Sequence, residues 1–207
     1  MTAGKVLKSF ATGIAAPRGL TFDGRSLWLG DATNQTLRQI DPVTGTVIRS
    51  VTSPDTVPYG LAWDGAKLWV AAFTAETIQQ FDPSTETLIR SFAYAPGAPR
   101  GITFDGHWLW VTDTISGLAH QIDPVTGTIV RTFDAVDAAP LGITWDGRYL
   151  WIAGNTSQLV RQHDPVTGTV LKSFSTPSTG PAGLTWDGRY LWLVDFSSDL
   201  IYQLSPD

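Results

Sequence analysis

Cysteine is absent from the 207 residues, and charged residues make up only 16% of them. Without cysteine the chain can form no disulfide, no thiolate nucleophile and no cysteine-ligated zinc site. No apolar run approaches the roughly eighteen residues that a membrane span needs, and the opening residues lack the apolar core of a signal peptide. The net charge of −5 disfavours nucleic acid, because phosphate binding needs clustered lysine and arginine. We therefore expect a soluble protein of unassigned compartment, with neither nucleic acid nor a membrane as partner.

Glycine, proline and tryptophan are abundant, at 20, 13 and 9 residues, and this mix of turn formers and aromatics favours an all-β fold. The hexapeptide DPVTGT begins at residues 41, 123 and 164, and DPSTET begins at residue 82, so the four starts are 41 residues apart. A period of about 40–50 residues is typical of β-propellers. Aligned without gaps, five copies begin at Gly4, Gly45, Glu86, Gly127 and Gly168.

Turn signals divide each copy into four short strands. An Asp-Gly pair joins the first two strands, and DPVTGT is interpreted as the hairpin turn between the third and fourth strands, since Pro42 presets φ and Gly45 accepts a positive φ. The last copy ends after its third strand, whereas residues 4–10 match the fourth strand of the other copies. The sequence therefore predicts one domain, residues 1–207, that forms a five-bladed β-propeller with the N-terminal strand completing the last blade.

Residues that share one offset in the five copies are called a column below. The aromatic columns that contain Phe22 and Trp28 are predicted to pack between blades rather than to form ligand platforms. The glutamine column that contains Gln39 is expected to be buried and hydrogen-bonded to backbone. Most of the remaining columns supply turn residues, and five basic residues recur in the fourth strand, so we interpret the columns as scaffold.

Variation between copies is concentrated in the links between blades and in the connections from second to third strands. In an up-and-down blade both sets emerge on one face, which we name the variable face, and binding groups usually lie on loops that a rigid scaffold carries. Eight acidic residues are expected on this face, and it is therefore predicted to be acidic. The predicted ligand-binding residues are Arg18, Asp31, Tyr59, Phe73, Arg100, Asp113, Asp195 and Phe196.

Asp31, Asp113 and Asp195 share one offset at the end of the second strand. Two interpretations stay open: the carboxylates converge on calcium or another cation at the axial mouth, or each caps its own loop. No other cofactor is expected. The partner is predicted to be a small molecule, a cation or a protein at the variable face of a monomer.

On the opposite face, Trp108, Tyr149 and Tyr190 occupy one offset, where they form a contact strip for a sugar or protein or else pack over the neighbouring Asp-Pro turn. His120 and His163 lie in successive third strands, which leaves a two-histidine site as a hypothesis. No phosphate loop, nucleophile elbow or zinc spacing occurs.

The unit GLTWDGRYLWLVD followed by IYQLSP, with its IDPVTGT hairpin, resembles the bacterial propeller repeats grouped as YVTN-type and NHL-like, and is also similar to streptogramin lyase and plant-type glutaminyl cyclase. The resemblance covers nearly all of residues 4–207 and implies the propeller fold. It also implies a lyase or cyclotransferase as an alternative to a non-enzymatic binding scaffold, although none of the relatives' catalytic residues can be matched here. A third alternative is a recently amplified or engineered symmetric scaffold without a specific ligand.

Overall fold

The computed structural model describes residues 3–207, in which twenty β-strands form all of the regular secondary structure. The strands are β1 (Val6–Ala11), β2 (Pro17–Phe22), β3 (Leu27–Asp31), β4 (Thr36–Ile40), β5 (Val47–Thr52), β6 (Pro58–Trp63), β7 (Leu68–Ala72), β8 (Thr77–Asp82), β9 (Thr87–Ala93), β10 (Pro99–Phe104), β11 (Leu109–Asp113), β12 (Leu118–Ile122), β13 (Ile129–Asp134), β14 (Pro140–Trp145), β15 (Leu150–Gly154), β16 (Leu159–His163), β17 (Val170–Ser175), β18 (Pro181–Trp186), β19 (Leu191–Asp195) and β20 (Leu200–Leu204).

The strands form five antiparallel sheets of four, which are the blades of the propeller. Blades 1 to 4 are β2–β5, β6–β9, β10–β13 and β14–β17, each in chain order from the axis outward. Blade 5 has the order β18, β19, β20, β1, and in it Phe10 lies opposite Ile201. The chain is therefore a five-bladed β-propeller, and the prediction that the N-terminal strand completes the last blade is confirmed.

The innermost strands approach one another so closely that glycine is required between them. A Cβ added at Gly101 would collide with the backbone carbonyl oxygen of Leu141 in the next blade, and a Cβ at Gly60 would collide with that of Arg100. Gly19, Gly142 and Gly183 meet neighbouring backbone in the same way. Because β18 also contacts β2, the contacts run around the whole ring.

The second strand of every blade is buried along its length. Its tryptophan packs against the fourth strand, as between Trp110 and Phe133, whose ring centroids are 5.6 Å apart. All five tryptophans of the Trp28 column are at most 3% exposed. The column that contains Phe22 is only half-buried, although its rings pack against the blade cores. The prediction of a packing role is confirmed, most completely for the Trp28 column.

The Asp-Gly turn is a hydrogen-bonding node. Asp23 Oδ1 accepts bonds from the backbone N–H groups of Arg25 and Ser26, while its Oδ2 accepts one of 2.8 Å from Trp28 Nε1 and one of 3.1 Å from Gln39 Nε2. Gln80 and Gln162 likewise donate to Asp64 and Asp146. The expectation of bonds to backbone was therefore wrong for these three glutamines: the carboxylate of the Asp-Gly turn offers a stronger, charge-assisted acceptor.

The Asp-Pro turn has the predicted hairpin geometry. Gly45 has φ of 76°, its N–H donates to the carbonyl oxygen of Asp41, and the Asp41 side chain accepts bonds from Val43 N and Thr44 N. The basic column of the fourth strand reaches across to the proline that follows the third strand of the next blade. In every blade it donates to a proline carbonyl oxygen, through the pairs Lys8–Pro42, Arg49–Pro83, Arg90–Pro124, Arg131–Pro165 and Lys172–Pro206.

Within residues 3–207, no helix has the length and hydropathy to cross a membrane.

Candidate functional site at the axial mouth

Both sets of variable segments emerge on the same face, as the up-and-down order of the strands requires. The links between blades are residues 11–16, 52–57, 93–98, 134–139 and 175–180, and the second-to-third connections are 31–35, 71–76, 112–117, 153–158 and 194–199. Backbone hydrogen bonds tie the two sets together, as from Ser53 N to Gln35 O at 2.9 Å and from Tyr94 N to Glu76 O at 2.8 Å. The variable face is therefore an ordered layer of loops.

Five of the eight predicted site residues form one stacked cluster at the axial end of this face. The Arg100 guanidinium packs against two rings that meet edge to face, with Cζ 3.9 Å from the centroid of Tyr59 and 3.8 Å from that of Phe73. Cζ of Arg18 is 5.1 Å from the same Tyr59 centroid and 4.9 Å from that of Phe196. All five side chains are half-buried, so the cluster retains contact with solvent. We name it the arginine cluster.

The innermost strands explain why these residues meet. Arg18, Tyr59 and Arg100 are the second residues of β2, β6 and β10, immediately before the glycines at which neighbouring strands touch. Side chains at this offset are therefore held together over the axis. Blades 4 and 5 have Leu141 and Ala182 there, both buried, so the ring at the mouth has a polar side and an apolar side.

The two guanidiniums of the arginine cluster have unpaired N–H groups. Nε of Arg18 and Nη1 of Arg100 are buried without a hydrogen-bond partner, and Nε of Arg100 donates to Thr114 Oγ1 at 3.1 Å. Burial is the main effect that lowers the pKa of Arg100; interaction with Tyr59 raises the pKa in part, and the charge of Arg18 lowers it. Arginine nonetheless keeps its proton at neutral pH, so two positive charges share one aromatic ring.

The three predicted aspartates lie apart from this stack, and each is fully buried beneath its own loop. Asp195 Oδ1 accepts bonds from the N–H groups of Ser197 and Ser198 and from the Ser198 hydroxyl, while its Oδ2 accepts one of 2.9 Å from Gly180 N. Asp113 has the same set of bonds, from Ile115, Ser116 and Ala98. The geometry is that of loop capping.

Asp31 caps its loop through Thr33 N and Asn34 N, and its Oδ2 pairs with Arg38 Nη2 at 2.7 Å. A carboxylate has about four lone-pair sites, and in all three aspartates hydrogen bonds from the residue's own loop engage both Oδ1 lone pairs. Across residues 3–207, no group of three or more His, Asp or Glu side chains is placed to hold a metal ion.

The sequence analysis counted Asp137 among the acidic residues of the variable face but missed its capping role. Asp137 belongs to the link before blade 4, yet its carboxylate lies where a side chain at Gly154 would stand. It accepts bonds from Thr156 N, Ser157 N and Arg161 Nη1 and so caps the loop after β15. The signal was available: Asp55 and Asp137 share one offset, and they occur in the two blades whose second strands end in Ala72 and Gly154.

The variable face is less acidic than its sequence suggests. Of the eight acidic residues expected there, five are buried and only Glu76, Asp134 and Asp199 are exposed. Hydrogen bonds stabilise the buried charges. For Asp137, burial raises the pKa, but bonds from Ser157, Ala139 and Thr156 outweigh it and hold the pKa below its usual value. Because only three of the acidic residues are exposed, the surface around the arginine cluster is not dominated by negative charge.

On the opposite face the contact strip lies beside turns. Tyr190 lines a groove with Pro42 and Val43 of the neighbouring Asp-Pro turn, and the Arg189 guanidinium stacks 5.0 Å from its ring centroid. Tyr149 is covered by Arg148 in the same way.

The two histidines have separate partners: His120 Nδ1 contacts Thr132 Oγ1 at 2.9 Å, and His163 Nδ1 contacts Gly168 O at 3.0 Å.

Comparison with known proteins supports the fold. No protein-family model and no curated protein sequence matches the chain. Among solved structures, the chain is similar to Myxococcus xanthus glutaminyl cyclase, with a TM-score of 0.80 at 16% identity over 97% of this chain and 95% of that one. It is also similar to virginiamycin B lyase from Staphylococcus aureus, with a TM-score of 0.57 at 21% identity over 92% of this chain and 66% of the lyase.

The WD40 propeller domain of Doa1 matches with a TM-score of 0.60 at 15% identity, over 91% of this chain and 63% of that one. The class of protein is thus the β-propeller, in its five-bladed form. Within that class the chain is similar to lyase, glutaminyl cyclase and WD40 propellers, and the predicted resemblance is confirmed at the level of the fold. At these identities the similarity concerns architecture and not activity.

Proposed function

We propose that the protein is a monomeric, non-enzymatic binding scaffold whose variable face and axial mouth contact a small molecule, a cation or a protein. The observation that carries the proposal is the arginine cluster. The scaffold columns repeat around the ring, but the second residues of the innermost strands differ in every blade except for the two arginines. Arg18 and Arg100 bring unpaired N–H donors into contact with aromatic rings in one half-buried cluster. Convergent polar groups among aromatic side chains are typical of ligand sites.

The test is a map of amide chemical shifts on the isotopically labelled protein. The probes are calcium chloride and three planar compounds of one shape and different charge: benzoate, benzamide and benzamidinium. Saturable shifts that cluster at the mouth, around residues 18, 59, 73, 100 and 196, support the proposal. Shifts confined to the Asp-Pro and Asp-Gly turns of the opposite face, or no saturable shift with any of the four probes, contradict it and favour the ligand-free scaffold.

A second candidate is a cyclotransferase, which the similarity in fold to glutaminyl cyclase over 95% of that chain favours. Such an enzyme would release ammonia from a peptide with an N-terminal glutamine. Mass spectrometry of that peptide after incubation with the protein separates the two candidates. The binding proposal expects no loss of ammonia above the rate without protein. A loss that the Arg100→Gln variant abolishes would replace the scaffold with an enzyme that acts at the mouth.

A further inference from the structure

Arg18 and Arg100 differ from the other arginines of the variable face in having no carboxylate partner. Arg38 pairs with Asp31 at 2.7 Å and Arg161 pairs with Asp137 at 3.3 Å. In the part of the chain that the structure describes, the ion pairs involve neither Arg18 nor Arg100. Two cations are thus held near each other with no counter-charge bonded to them, which is an unfavourable arrangement in the absence of an anion.

The arginine cluster is also prepared for directional hydrogen bonding. A guanidinium is planar and presents its N–H groups in a fixed fork that matches a carboxylate. Tyr59 and Phe73, whose rings meet edge to face with centroids 5.2 Å apart, pack against the Arg100 guanidinium from two adjacent sides and restrict its orientation. Holding the fork in place removes much of the entropy cost of ordering it on binding.

Stacking alone does not account for the cluster. Arg148 lies over Tyr149 and Arg189 over Tyr190 at the opposite face, at 4.9 and 5.0 Å, yet neither arginine has a buried N–H without a partner. A buried donor that lacks a partner is costly, so in native proteins it is usually satisfied by water or by a ligand. The unpaired donors of Arg18 and Arg100 therefore set this cluster apart from the surface stacks.

We propose that the arginine cluster binds the carboxylate of a small organic anion, whose apolar part lies against the Leu141 and Ala182 side of the mouth. The inference rests on the proposed function and names its ligand class. The carboxylate accepts hydrogen bonds from Arg18 and Arg100, and their charges balance its own. Asp113, whose charge acts on Arg100, accepts its hydrogen bonds from Ile115, Ser116 and Ala98.

The experiment compares benzoate with benzamide and benzamidinium by titration calorimetry and chemical-shift mapping. We expect benzoate to bind at the mouth at least about tenfold more tightly than benzamide, since a hydrogen bond to a charged group is worth roughly that factor or more. Benzamidinium is expected not to bind. Stronger binding of benzamide or benzamidinium at the mouth overturns the inference but leaves the proposed function standing. Failure of all three probes to bind there overturns the inference as well.

Variants locate the effect. Arg18→Gln and Arg100→Gln should each weaken benzoate binding at least about tenfold, and Arg18→Lys and Arg100→Lys should weaken it too, because lysine keeps the charge without the planar fork. Arg148→Gln is the matched control: it removes a stacked arginine from the opposite face and should leave the affinity within twofold. Circular dichroism and thermal melting confirm that each variant folds. Unchanged affinity in the folded Arg100→Gln variant contradicts the assignment.

Discussion

Asp137 and Gly154 fill one space between them. The carboxylate of Asp137 occupies the volume that a side chain at position 154 would take, and it bonds the backbone of the loop that follows. In blades 1, 3 and 5 an aspartate at the end of the second strand makes the same kind of cap from the opposite side of the space. In blades 1, 3, 4 and 5 the loop after the second strand is thus held by one buried carboxylate that is supplied from either of two positions.

This relationship predicts that the capping carboxylate can be moved. Asp137→Ala should lower the free energy of unfolding by about 1–3 kcal/mol, because it leaves buried N–H groups unpaired. Gly154→Asp should also destabilise, because two carboxylates would then compete for one space. The double variant should recover most of the loss, as measured by urea unfolding. Additive losses in the double variant would contradict the exchange.

A second pair is predicted to be coupled across the joint between blades 1 and 2. In the other four joints a phenylalanine of the fourth strand packs on the turn glycine, as Phe92 does on Gly127. Here the residues are Val51 and Glu86, and Glu86 has φ of 55°. Val51→Phe alone should cost about 1–3 kcal/mol through overpacking, whereas Val51→Phe combined with Glu86→Gly should cost less than the sum. Thermal melts of the four proteins in this cycle measure the coupling.

The close approach of the innermost strands predicts that adding one methyl group at Gly101 lowers the free energy of unfolding by an unusually large amount. Gly101→Ala would place a Cβ against the carbonyl oxygen of Leu141, which belongs to backbone that cannot rotate away. We expect a loss of more than about 3 kcal/mol, or no folded protein. Gly106→Ala is the control, since its φ of 98° is unfavourable for alanine but a Cβ would meet nothing within 4 Å. Its loss should stay near 1 kcal/mol. Equal losses in the two variants would argue against close packing at the axis.

Acid should destabilise the protein through its buried histidines. Burial is the main cause that lowers the pKa of His163, while the bond to the Gly168 carbonyl raises it in part. The unfolded chain therefore binds a proton more readily than the folded one, and stability falls as the pH drops below about 6.5. The pKa of His120 is lowered by burial in the same direction.

The measurement is urea unfolding of His163→Leu at pH 7.5 and pH 5. Leucine occurs in this column as Leu204, and it removes the unpaired Nε2 of His163. The variant should be more stable than the parent at both values, with the larger gain at pH 5 and a flatter dependence on pH. His107→Leu, at an exposed turn, serves as control and should leave the dependence unchanged. An identical pH profile for His163→Leu would remove His163 as the cause.

The ring, its closure and its turns could be predicted because each depends on local residue preferences that recur every 41 residues. For the arginine cluster, the residues could be predicted but their contacts could not. Arg18, Tyr59 and Arg100 come from three blades, and their stacking depends on side-chain directions. The bond from Gln39 to Asp23 was missed because it joins β4 to the turn between β2 and β3, 16 residues earlier in the chain. The burial of Asp31 was missed because a loop aspartate is ordinarily exposed.

The pairing of β1 with β20 makes the seam of the ring chemically like the interior of any other blade. Gly4 N donates to Ser205 O, and Ser205 N donates to Lys5 O, so the two ends of the described chain lie side by side. Circular permutation should therefore be tolerated at any Asp-Pro hairpin once the old ends are linked. The order in which the polypeptide is synthesised would change, while every ladder of hydrogen bonds would be retained.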